Sequence, residues 1–449
     1  MPECLDLLVS FNPWWRGEML KTGIIREKYF QKIRKYLDTG EILVLNGVRR
    51  SGKTTILFQT VDELILKRGV SPEKILFVNC DDPLLLEFEN PLETVIDTYR
   101  KDVYAGDDVW LILDEVQSID GWERWIKSYY DRKLFKIIIS GSSSYLMDSG
   151  LSALLSGRYL PVSVYPLDFS EYLMFKGFDY SKDPVALAGD KYKIINHLSD
   201  YLKSGGFPQV VLQDDEEIRN DYLRVYYDSI VYRDIVRIQN VRNQKALSLL
   251  LMYFFSNFTS VYSYRNLSDV LQVDGGTIRE YIHFAEMAKI LFEVRYFSYS
   301  LKTQERNQKK IYCIDNGLRN SVSFAFSKDV GRLAENLVFV ELMRRGFSPY
   351  YWKKTGTGKE ADFVINKRDG SLQAINVTYT DDFKERETAG LIEFSGEFSE
   401  KCQIGQSSVF TGALDLLLLT KDTEGEPDDG IRMVPLWKWL LSPDFSGSV

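Results

Sequence analysis

The chain has few of the residues that build zinc sites, catalytic triads and disulfide frameworks. In 449 residues there are two histidines, His197 and His283, and four cysteines, Cys4, Cys80, Cys313 and Cys402. The histidines lie far apart in the sequence, which disfavours a His-based zinc site or a Ser-His-Asp triad, and we interpret both as structural. The cysteines are scattered without pairing or metal-ligand spacing, which is typical of a reducing compartment.

Long apolar runs and an excess of positive charge are also missing. No stretch approaches the ~20 apolar residues needed to span a bilayer, and residues 1–10 lack the basic and apolar regions of a signal peptide. The sequence therefore predicts a cytoplasmic protein with no membrane partner. A net charge of -8 and a pI near 5.2 argue against a surface that binds nucleic acid everywhere, although a local basic patch is compatible with both values.

The length and composition predict a globular protein of two or three domains. Hydrophobic residues make up 45% and charged residues 27% of the 449 positions, and a chain of this length exceeds one ordinary domain. From the patterns described below, we place the domains at 1–175, 176–325 and 326–449.

The most informative pattern is a phosphate loop. The run Gly47-Val48-Arg49-Arg50-Ser51-Gly52-Lys53-Thr54-Thr55 matches G-x-x-x-x-G-K-[ST] at every position and follows an apolar, strand-like run. Its glycines let backbone N-H groups face the phosphates, and the next helix presents the positive end of its dipole. Lys53 is predicted to reach the β- and γ-phosphates, and Thr54 to ligate Mg²⁺. A chance match is the alternative, but the flanking strand and helix patterns argue against it.

A second motif supplies acidic groups for the same site. The apolar run Val109-Trp110-Leu111-Ile112-Leu113 ends in Asp114-Glu115. Five consecutive apolar residues predict a strand buried on both faces of a parallel sheet, whose carboxyl end opens where ligands bind. Asp114 is predicted to hold Mg²⁺, through water or Thr54, and Glu115 to polarise the attacking water as general base. An ordinary strand that ends in two solvated carboxylates would look the same in isolation.

Strands and helices alternate over the first 140 residues. We predict strands at 41–46, 75–79, 109–114 and 136–140, and helices after Lys53, at 92–104 and at 121–131. This order predicts an α/β fold with a parallel sheet covered by helices on both faces. Residues 191–258 are predicted to be helical from their i, i+3, i+4 periodicity. Arg233 in this region either approaches the nucleotide from a lid, forms an ion pair within its own helix near Asp234, or lies on a solvated face.

With further short motifs, these residues resemble the AAA-like ATPases of the STAND-related kind from bacteria and archaea. The motifs are Asn12-Pro13-Trp14-Trp15, the Asp114-Glu115 strand with Val116-Gln117 and Trp122, Ser140-Gly141-Ser142, Gly157-Arg158, Pro166-Leu167-Asp168-Phe169-Ser170-Glu171-Tyr172 and Gly205-Gly206-Phe207-Pro208. The resemblance implies an ATPase core that is followed by a winged helix and a nuclease-like C-terminal domain, with ATP and Mg²⁺ as cofactors.

The resemblance also implies roles for individual residues. Ser140, with Ser142 as second choice, takes a sensor position at a strand tip, where it can hydrogen-bond the γ-phosphate or the lytic water; serines after a strand are equally good turn residues. Arg158 is a finger or sensor, acting in cis or in trans, or else a helix cap. Pro208 lies against the adenine and Gly206 permits a close backbone approach, unless this element is a simple turn.

Residues 264–297 resemble a winged helix. The pattern reads helix, turn, helix and strand, with Asp274-Gly275-Gly276 as the turn. The second helix carries Arg279 but also Glu280 and Glu286, which does not favour contact with DNA phosphates. The following segment is a candidate basic wing, with Lys302, Arg306, Lys309 and Lys310. Either this wing contacts DNA, or the element packs on the nucleotide domain as a structural lid.

From about residue 330 the pattern resembles the core of restriction-endonuclease-like domains. Glu335 lies on a predicted helix, Asp362 on a predicted strand and Asn376 on the next one. Active members of that fold need an acid-x-lysine triplet where this chain has Asn376 and Thr378. Glu335 and Asp362 alone make a weak two-carboxylate site, so we predict an inactive domain that is kept for binding or packing.

Two classes of function follow. The first is a Mg²⁺-dependent ATPase switch that couples its nucleotide state to a macromolecular partner, DNA or protein, with a homo-oligomer left open. The second is a slow nucleotide-binding scaffold, and an ATP-dependent DNA-processing nuclease is a further alternative. Glu115 favours hydrolysis, because a binding-only site has no need for a carboxylate beside the metal ligand.

Overall fold

The chain folds into two compact units, each made of segments that are not continuous in sequence. The computed structural model describes residues 3–142, 155, 157–181, 183–323, 330–367, 369–380, 385–403, 414–425 and 430–442. Unit 1 comprises Met1–Tyr165, Tyr232–Gln239 and Met287–Lys289. Unit 2 comprises Pro166–Val231, Asn240–Glu286 and Ile290–Val449. Two short segments from later in the chain therefore complete unit 1.

Unit 1 is built on a five-stranded parallel sheet. Its strands are β1 (Ile42–Gly47), β2 (Ile75–Asn79), β3 (Val109–Asp114), β4 (Phe135–Ser142) and β5 (Tyr159–Val164). Their order is β2-β3-β4-β1-β5, and every neighbouring pair is parallel. Since β4 lies between β1 and β3, the carboxyl ends of these three strands lie side by side.

Helices cover both faces of this sheet. The described α-helices are α1 (Cys4–Phe11), α2 (Glu27–Tyr36), α3 (Lys53–Asp62), α4 (Pro91–Asp102) and α5 (Trp122–Asp131). Val44 and Leu111 belong to one apolar core, whereas Leu45 and Ile112 belong to the other. Successive strand residues thus enter opposite cores, which explains the continuous apolar runs in the sequence. The predicted α/β fold with a parallel sheet is confirmed.

The edge strand β5 is the part of this sheet that the sequence did not predict. It contains Pro161 and Ser163, which interrupt the apolar pattern that identified the other four strands. Proline cannot donate to a sheet hydrogen bond, so it is tolerated on an edge strand. β5 pairs on one side with β1, from Ile42 beside Tyr159 to Gly47 beside Val164.

Unit 2 begins with a helical region, and its helices within 191–258 agree with the predicted periodicity. Its helices are α6 (Phe169–Phe175), α7 (Pro184–Gly189), α8 (Lys191–Ser204), α9 (Pro208–Leu212), α10 (Glu216–Ser229) and α11 (Gln244–Ser256). Between α10 and α11, a π-helical turn runs over Ile230–Arg237, and most of this turn belongs to unit 1. The capping box of Asp168 and Glu171 begins α6.

A small antiparallel sheet with adjoining helices follows. The helices are α12 (Tyr264–Leu271) and α13 (Gly275–Met287), and the strands are β6 (Val261–Tyr262), β7 (Leu291–Val294) and β8 (Lys309–Cys313). The strand order is β6-β8-β7. The structure thus has the predicted order of helix, turn, helix and strand, but a further helix, α14 (Leu301–Arg306), lies between β7 and β8.

The last part of unit 2 is built on a mixed sheet. After α15 (Asn316–Val322) and α16 (Val330–Arg344) come β9 (Tyr350–Lys353), β10 (Glu360–Asn366), β11 (Leu372–Val377), α17 (Glu385–Gln403), β12 (Leu414–Thr420), β13 (Ile431–Pro435) and α18 (Leu436–Leu441). The order is β13-β12-β11-β10-β9; β9, β10 and β11 are antiparallel, and β11, β12 and β13 are parallel. Trp352, Phe394 and Leu418 lie in its core. Among the described helices, none is both long and apolar enough to cross a membrane.

Candidate nucleotide-binding site

The phosphate loop lies at the carboxyl end of β1. Gly52 has a φ of +99° and is followed by Lys53, the first residue of α3. A Cβ atom at Gly47 would lie 2.2 Å from the carbonyl oxygen of Val164, so this position requires glycine. The Lys53 ammonium donates to the carbonyl oxygens of Gly47 (3.2 Å) and Val48 (3.4 Å). The loop therefore curls around the lysine that is expected to bind phosphate.

A buried arginine outside the motif fixes the path of the loop. Arg26 donates to the carbonyl oxygen of Ser51 at 2.9 Å and to that of Tyr165 at 3.0 Å. The Ser51 side chain is buried with it, whereas Arg50 and Thr55 are exposed. The sequence pattern gives no sign of this role for Arg26, since a single arginine before β1 carries no motif.

Asp114, at the end of β3, joins three elements. Its Oδ2 accepts a hydrogen bond from the Thr54 hydroxyl at 2.6 Å, and its Oδ1 accepts one from the Ser140 hydroxyl. The Ser140 oxygen in turn accepts from the backbone N-H of Glu115 at 3.2 Å. Burial raises the pKa of Asp114 and so does Glu115, while the hydrogen bonds from Ser140 and Thr54 oppose this rise. A divalent cation bound beside Asp114 would supply positive charge that stabilises this buried carboxylate.

The side chains of Thr54 and Asp114 can supply two oxygen ligands to a Mg²⁺ ion, and nucleotide phosphates and water would supply the others. Mg²⁺ in nucleotide sites is commonly held by one or two protein groups together with substrate phosphates. No group of three or more His, Cys, Asp or Glu side chains that could hold a metal occurs in the part of the chain that the structure describes. The donor set therefore fits a nucleotide-dependent ion rather than an all-protein metal centre.

Glu115 directly follows the strand in a left-handed conformation, with φ +51° and ψ +45°, a region that non-glycine residues seldom occupy. Gln117 Nε2 donates to Glu115 Oε2 at 2.5 Å, and the Lys53 ammonium lies 3.9 Å from Oε1. Burial alone would raise the pKa of Glu115, but Lys53 and Arg49 together hold it below its usual value. Glu115 is therefore ionised at neutral pH, as a general base must be.

Two charged residues of the π-helical turn Ile230–Arg237 pair with other residues of unit 1. Arg49 of the phosphate loop forms a two-pronged pair with Asp234, with N-O distances of 3.1 Å and 3.3 Å. Arg233 Nη1 lies 3.3 Å from an oxygen of Asp81, which follows β2. The helical pattern left open a place near the nucleotide for Arg233, but it gave no sign that Asp234 pairs with the loop.

Lys289 is a second residue that the sequence analysis missed. It donates to the side-chain oxygens of Asn46, at 3.0 Å, and Ser163, at 3.3 Å, and so ties β1 to β5 beside the phosphate loop. Burial lowers the pKa of Lys289 to about 8, and the charge of Lys53 adds to this effect. Nothing in the local sequence around Lys289 distinguishes it from an exposed lysine.

Arg158 lies at the other end of the sheet. It precedes β5, and its carbonyl oxygen accepts from Ile42 N, at the amino end of β1. Its half-exposed guanidinium pairs with Asp131. Within one chain, Arg158 is therefore not brought together with the phosphate loop. Ser142, the second choice for the sensor, ends β4 and is buried, whereas the serines at 143 and 144 lie outside the described residues.

The Gly-Gly-Phe-Pro element makes its described contacts inside unit 2. Gly206 N donates to Asp315 Oδ2 at 2.7 Å, and Leu167 N donates to Gly206 O at 2.6 Å. A Cβ atom would lie 2.0 Å from Asp315 at Gly205 and 2.4 Å from Leu167 O at Gly206. These contacts account for both glycines. Pro208 begins α9, and its contact with adenine stays a prediction.

Comparison with known proteins identifies three regions. Residues 39–173 match the model of an AAA domain, residues 195–329 match a domain of unknown function (DUF8612), and residues 330–439 match another (DUF4143). Residues 39–173 thus form an AAA-like P-loop domain, which binds nucleotide, and this domain contains the phosphate loop and the strands β1 to β5.

Relatives extend over almost the whole chain. An uncharacterised protein of Haemophilus influenzae is 28% identical over 94% of this chain and 100% of its own length. The structure of AMPPCP-bound DnaA from Aquifex aeolicus is 15% identical, covering 62% of this chain and 92% of that chain with a TM-score of 0.28, a likeness too low to support an inference. The uncharacterised protein MJ1544 of Methanocaldococcus jannaschii is 30% identical over 90% of this chain and 88% of its own length. The chain therefore belongs to the same protein family as MJ1544.

Proposed function

We propose that the chain is a Mg²⁺-dependent ATPase that acts as a nucleotide-controlled switch for a macromolecular partner. One observation carries the catalytic part of this proposal: Thr54 in the first turn of α3, Asp114 and Glu115 at the end of β3, and Ser140 on β4 form a continuous hydrogen-bonded series. This series places two oxygen ligands for Mg²⁺ beside an ionised carboxylate, the arrangement needed to orient a phosphate and activate water.

Each residue has a distinct part in this reaction. Lys53 and the loop N-H groups bind the β- and γ-phosphates, and Thr54 and Asp114 would hold Mg²⁺, which neutralises the charge that develops on the phosphate oxygens. Glu115 takes the proton from the attacking water. Ser140 orients both Asp114 and the backbone of Glu115, so it is a positioning residue.

The test is ATP turnover by the full chain in Mg²⁺ with Glu115→Gln. The amide keeps the size of the side chain but cannot accept the proton, so turnover should fall ~100-fold or more while nucleotide binding stays near the native level. Glu89→Gln is the matched control, since Glu89 is exposed in the same unit. Native turnover in Glu115→Gln would assign the base elsewhere, and no turnover by the native chain under any condition would favour the scaffold alternative.

We also propose that residues 244–313 form a winged helix. The order α11, β6, α12, α13, β7, α14, β8, with β6 and β7 each antiparallel to β8, supports this assignment. The basic wing needs correction, however: Lys309 and Lys310 are each 3% exposed, and both pair inside the protein. Lys302 and Arg306 are exposed, so these two of the four predicted cations can still contact a partner such as DNA.

For the C-terminal part, we propose a restriction-endonuclease-like domain without nuclease activity. The order α16, β9, β10, β11, α17, β12 supports the fold. Asn376 accepts from the backbone N-H of Asp362 at 2.9 Å and donates to the carbonyl oxygens of Glu360 and Glu387. This buried amide therefore has a structural use, and it adds no charge for a metal. We propose further that the protein is cytoplasmic and that its partner is DNA or another protein. Assembly into a homo-oligomer is compatible with this proposal.

A further inference from the structure

Unit 2 contains a buried charge cluster outside the nucleotide site. Lys310 on β8 has a side chain that is 4% exposed, and its ammonium lies 3.1 Å from Glu335 Oε1 on α16 and 3.6 Å from Asp362 Oδ1 on β10. The Tyr312 hydroxyl, also on β8, donates to Glu335 Oε1 at 2.7 Å. A single ammonium thus bridges two carboxylates that come from two other elements.

Other carboxylate oxygens near Lys310 interact with different groups. Asp362 Oδ2 accepts from the backbone N-H of Val377 at 2.9 Å. The third nearby carboxylate, Glu360, pairs with Lys353 at 3.1 Å near the surface. Among the described residues, Lys310 is therefore the cation that Glu335 and Asp362 share.

The two carboxylates keep this lysine charged in spite of its burial. Burial alone would lower the pKa of Lys310, but Glu335 and Asp362 reverse the effect and raise it. Conversely, burial and the charge of Glu335 raise the pKa of Asp362, and Lys310 opposes that rise. Removing the ammonium would leave two buried carboxylates without a counter-charge, which is strongly unfavourable.

The geometry is that of a cation site with an ammonium in place of a metal. One carboxylate from a helix and one from a strand converge on a single positive centre, as they do around Mg²⁺ or Mn²⁺. A metal ion bound to both carboxylates at distances of about 2.1 Å would have to lie between them. The Lys310 ammonium already fills that space. The lysine and a divalent ion are therefore alternatives.

We propose that Lys310 is a resident cation that occupies the place of a divalent metal between Glu335 and Asp362 and keeps this site closed to metal. The proposal goes beyond the ATPase function and does not depend on it. It also adds a physical reason to the proposed lack of nuclease activity: the chain itself fills the site, in addition to having Asn376 and Thr378 at the triplet positions.

The test measures Mn²⁺ binding to the full chain without nucleotide, by electron paramagnetic resonance of free Mn²⁺. All variants carry Asp114→Asn, which removes the predicted carboxylate ligand of Mg²⁺ in the nucleotide site. The chain with Lys310 should bind no Mn²⁺ in unit 2, and Lys310→Ala should gain one bound ion per chain. Adding Asp362→Asn to Lys310→Ala should abolish that ion. Lys309→Ala is the matched control, because Lys309 is equally buried but donates to Gln304 O and Glu305, and it should gain none.

Two results would overturn the proposal. Mn²⁺ binding by the chain with Lys310 that disappears with Asp362→Asn would make the cluster a metal centre with a lysine beside it. A folded Lys310→Ala chain that gains no ion would show that the carboxylates do not converge on a cation position. If Lys310→Ala fails to fold, Lys310→Ala with Asp362→Asn, which also removes a buried carboxylate, should restore folded protein; failure of this double variant would equally reject the role of Lys310 as the shared counter-charge.

Discussion

Arg49 and Asp234 are 185 positions apart in the sequence, yet they form a two-pronged ion pair beside the phosphate loop. Asp234 is almost fully buried, and burial raises its pKa against the opposing effect of Arg49. The π-helical turn Ile230–Arg237 is thereby attached to a loop residue whose guanidinium is close enough to Glu115 to influence its pKa.

Asp234→Asn should loosen this turn in the absence of nucleotide. The amide leaves Arg49 without its carboxylate, and loss of one partner of a buried pair costs up to a few kcal/mol. We expect backbone amides of residues 230–237 to exchange about tenfold faster or more. An ATP analogue should slow the exchange more in this variant than in the native chain, because phosphates can replace Asp234 as the partner of Arg49.

Hydrogen exchange followed by mass spectrometry measures both effects. Asp228→Asn, on the preceding α10, is the matched control. Equal exchange in native and Asp234→Asn chains would mean that the pair does not hold the turn.

Ser140→Ala should lower ATP turnover by about 10- to 100-fold, the range found when a group that orients a metal ligand is removed. The Ser140 hydroxyl contacts both Asp114 and the backbone of Glu115, but it is not itself among the predicted metal ligands. The affinity for an ATP analogue without metal should therefore change little. Ser10→Ala, on α1, is the control, and turnover within twofold of native in Ser140→Ala would exclude a positioning role.

The sequence predicted the parts of the site that are local, and it missed those that the fold assembles. The phosphate loop and the Asp114-Glu115 strand are continuous motifs, and each strand buried on both faces is an apolar run. By contrast, Asp234 pairs with Arg49 of the loop from 185 positions away, and Lys289 pairs with Asn46 on β1 from 243 positions away. No periodicity in the sequence predicts such contacts. Lys310 was placed on an exposed wing because lysine is mostly a surface residue; only the tertiary structure reveals the two carboxylates that allow its burial.

Any affinity for DNA should depend weakly on salt. Since two of the four predicted wing cations are buried, Lys302→Ala with Arg306→Ala should reduce the slope of log K against log salt by up to ~1.8, about 0.9 for each phosphate contact. Filter binding of duplex DNA over a range of salt concentrations measures this slope. The exposed pair Lys35 and Lys101, changed to alanine, is the control. A slope that stays unchanged in the wing variant would remove this segment as a DNA contact.

Unit 1 should become more stable as the pH rises from 8 to 10. Lys289 has a pKa of about 8 in the folded chain, whereas an unfolded lysine titrates near ~10.4. The unfolded state therefore binds more protons in this window, and the penalty for burying the charged lysine disappears above the folded pKa. Between pH 8 and pH 10, the free energy of unfolding of the native chain should increase by at most about 3 kcal/mol more than that of Lys289→Met.

Thermal unfolding of native, Lys289→Met and the exposed-lysine control Lys21→Met measures the effect between pH 7 and pH 10. The unfolding temperatures of the native chain and of Lys21→Met should increase by the same amount with pH, whereas that of Lys289→Met should increase less. If all three chains respond equally, the burial of Lys289 does not affect stability.

The discontinuous composition of unit 1 has a consequence for its synthesis. The sheet and the phosphate loop are complete at Tyr165, but the segments Tyr232–Gln239 and Met287–Lys289 belong to the same compact unit. At a translation rate of about 5–20 residues per second, the ribosome needs about 6–25 s to extend the chain from 165 to 289. Until those segments are made, Arg49 lacks Asp234 and Asn46 lacks Lys289. Unit 1 can therefore reach its complete form only after the ribosome has passed residue 289.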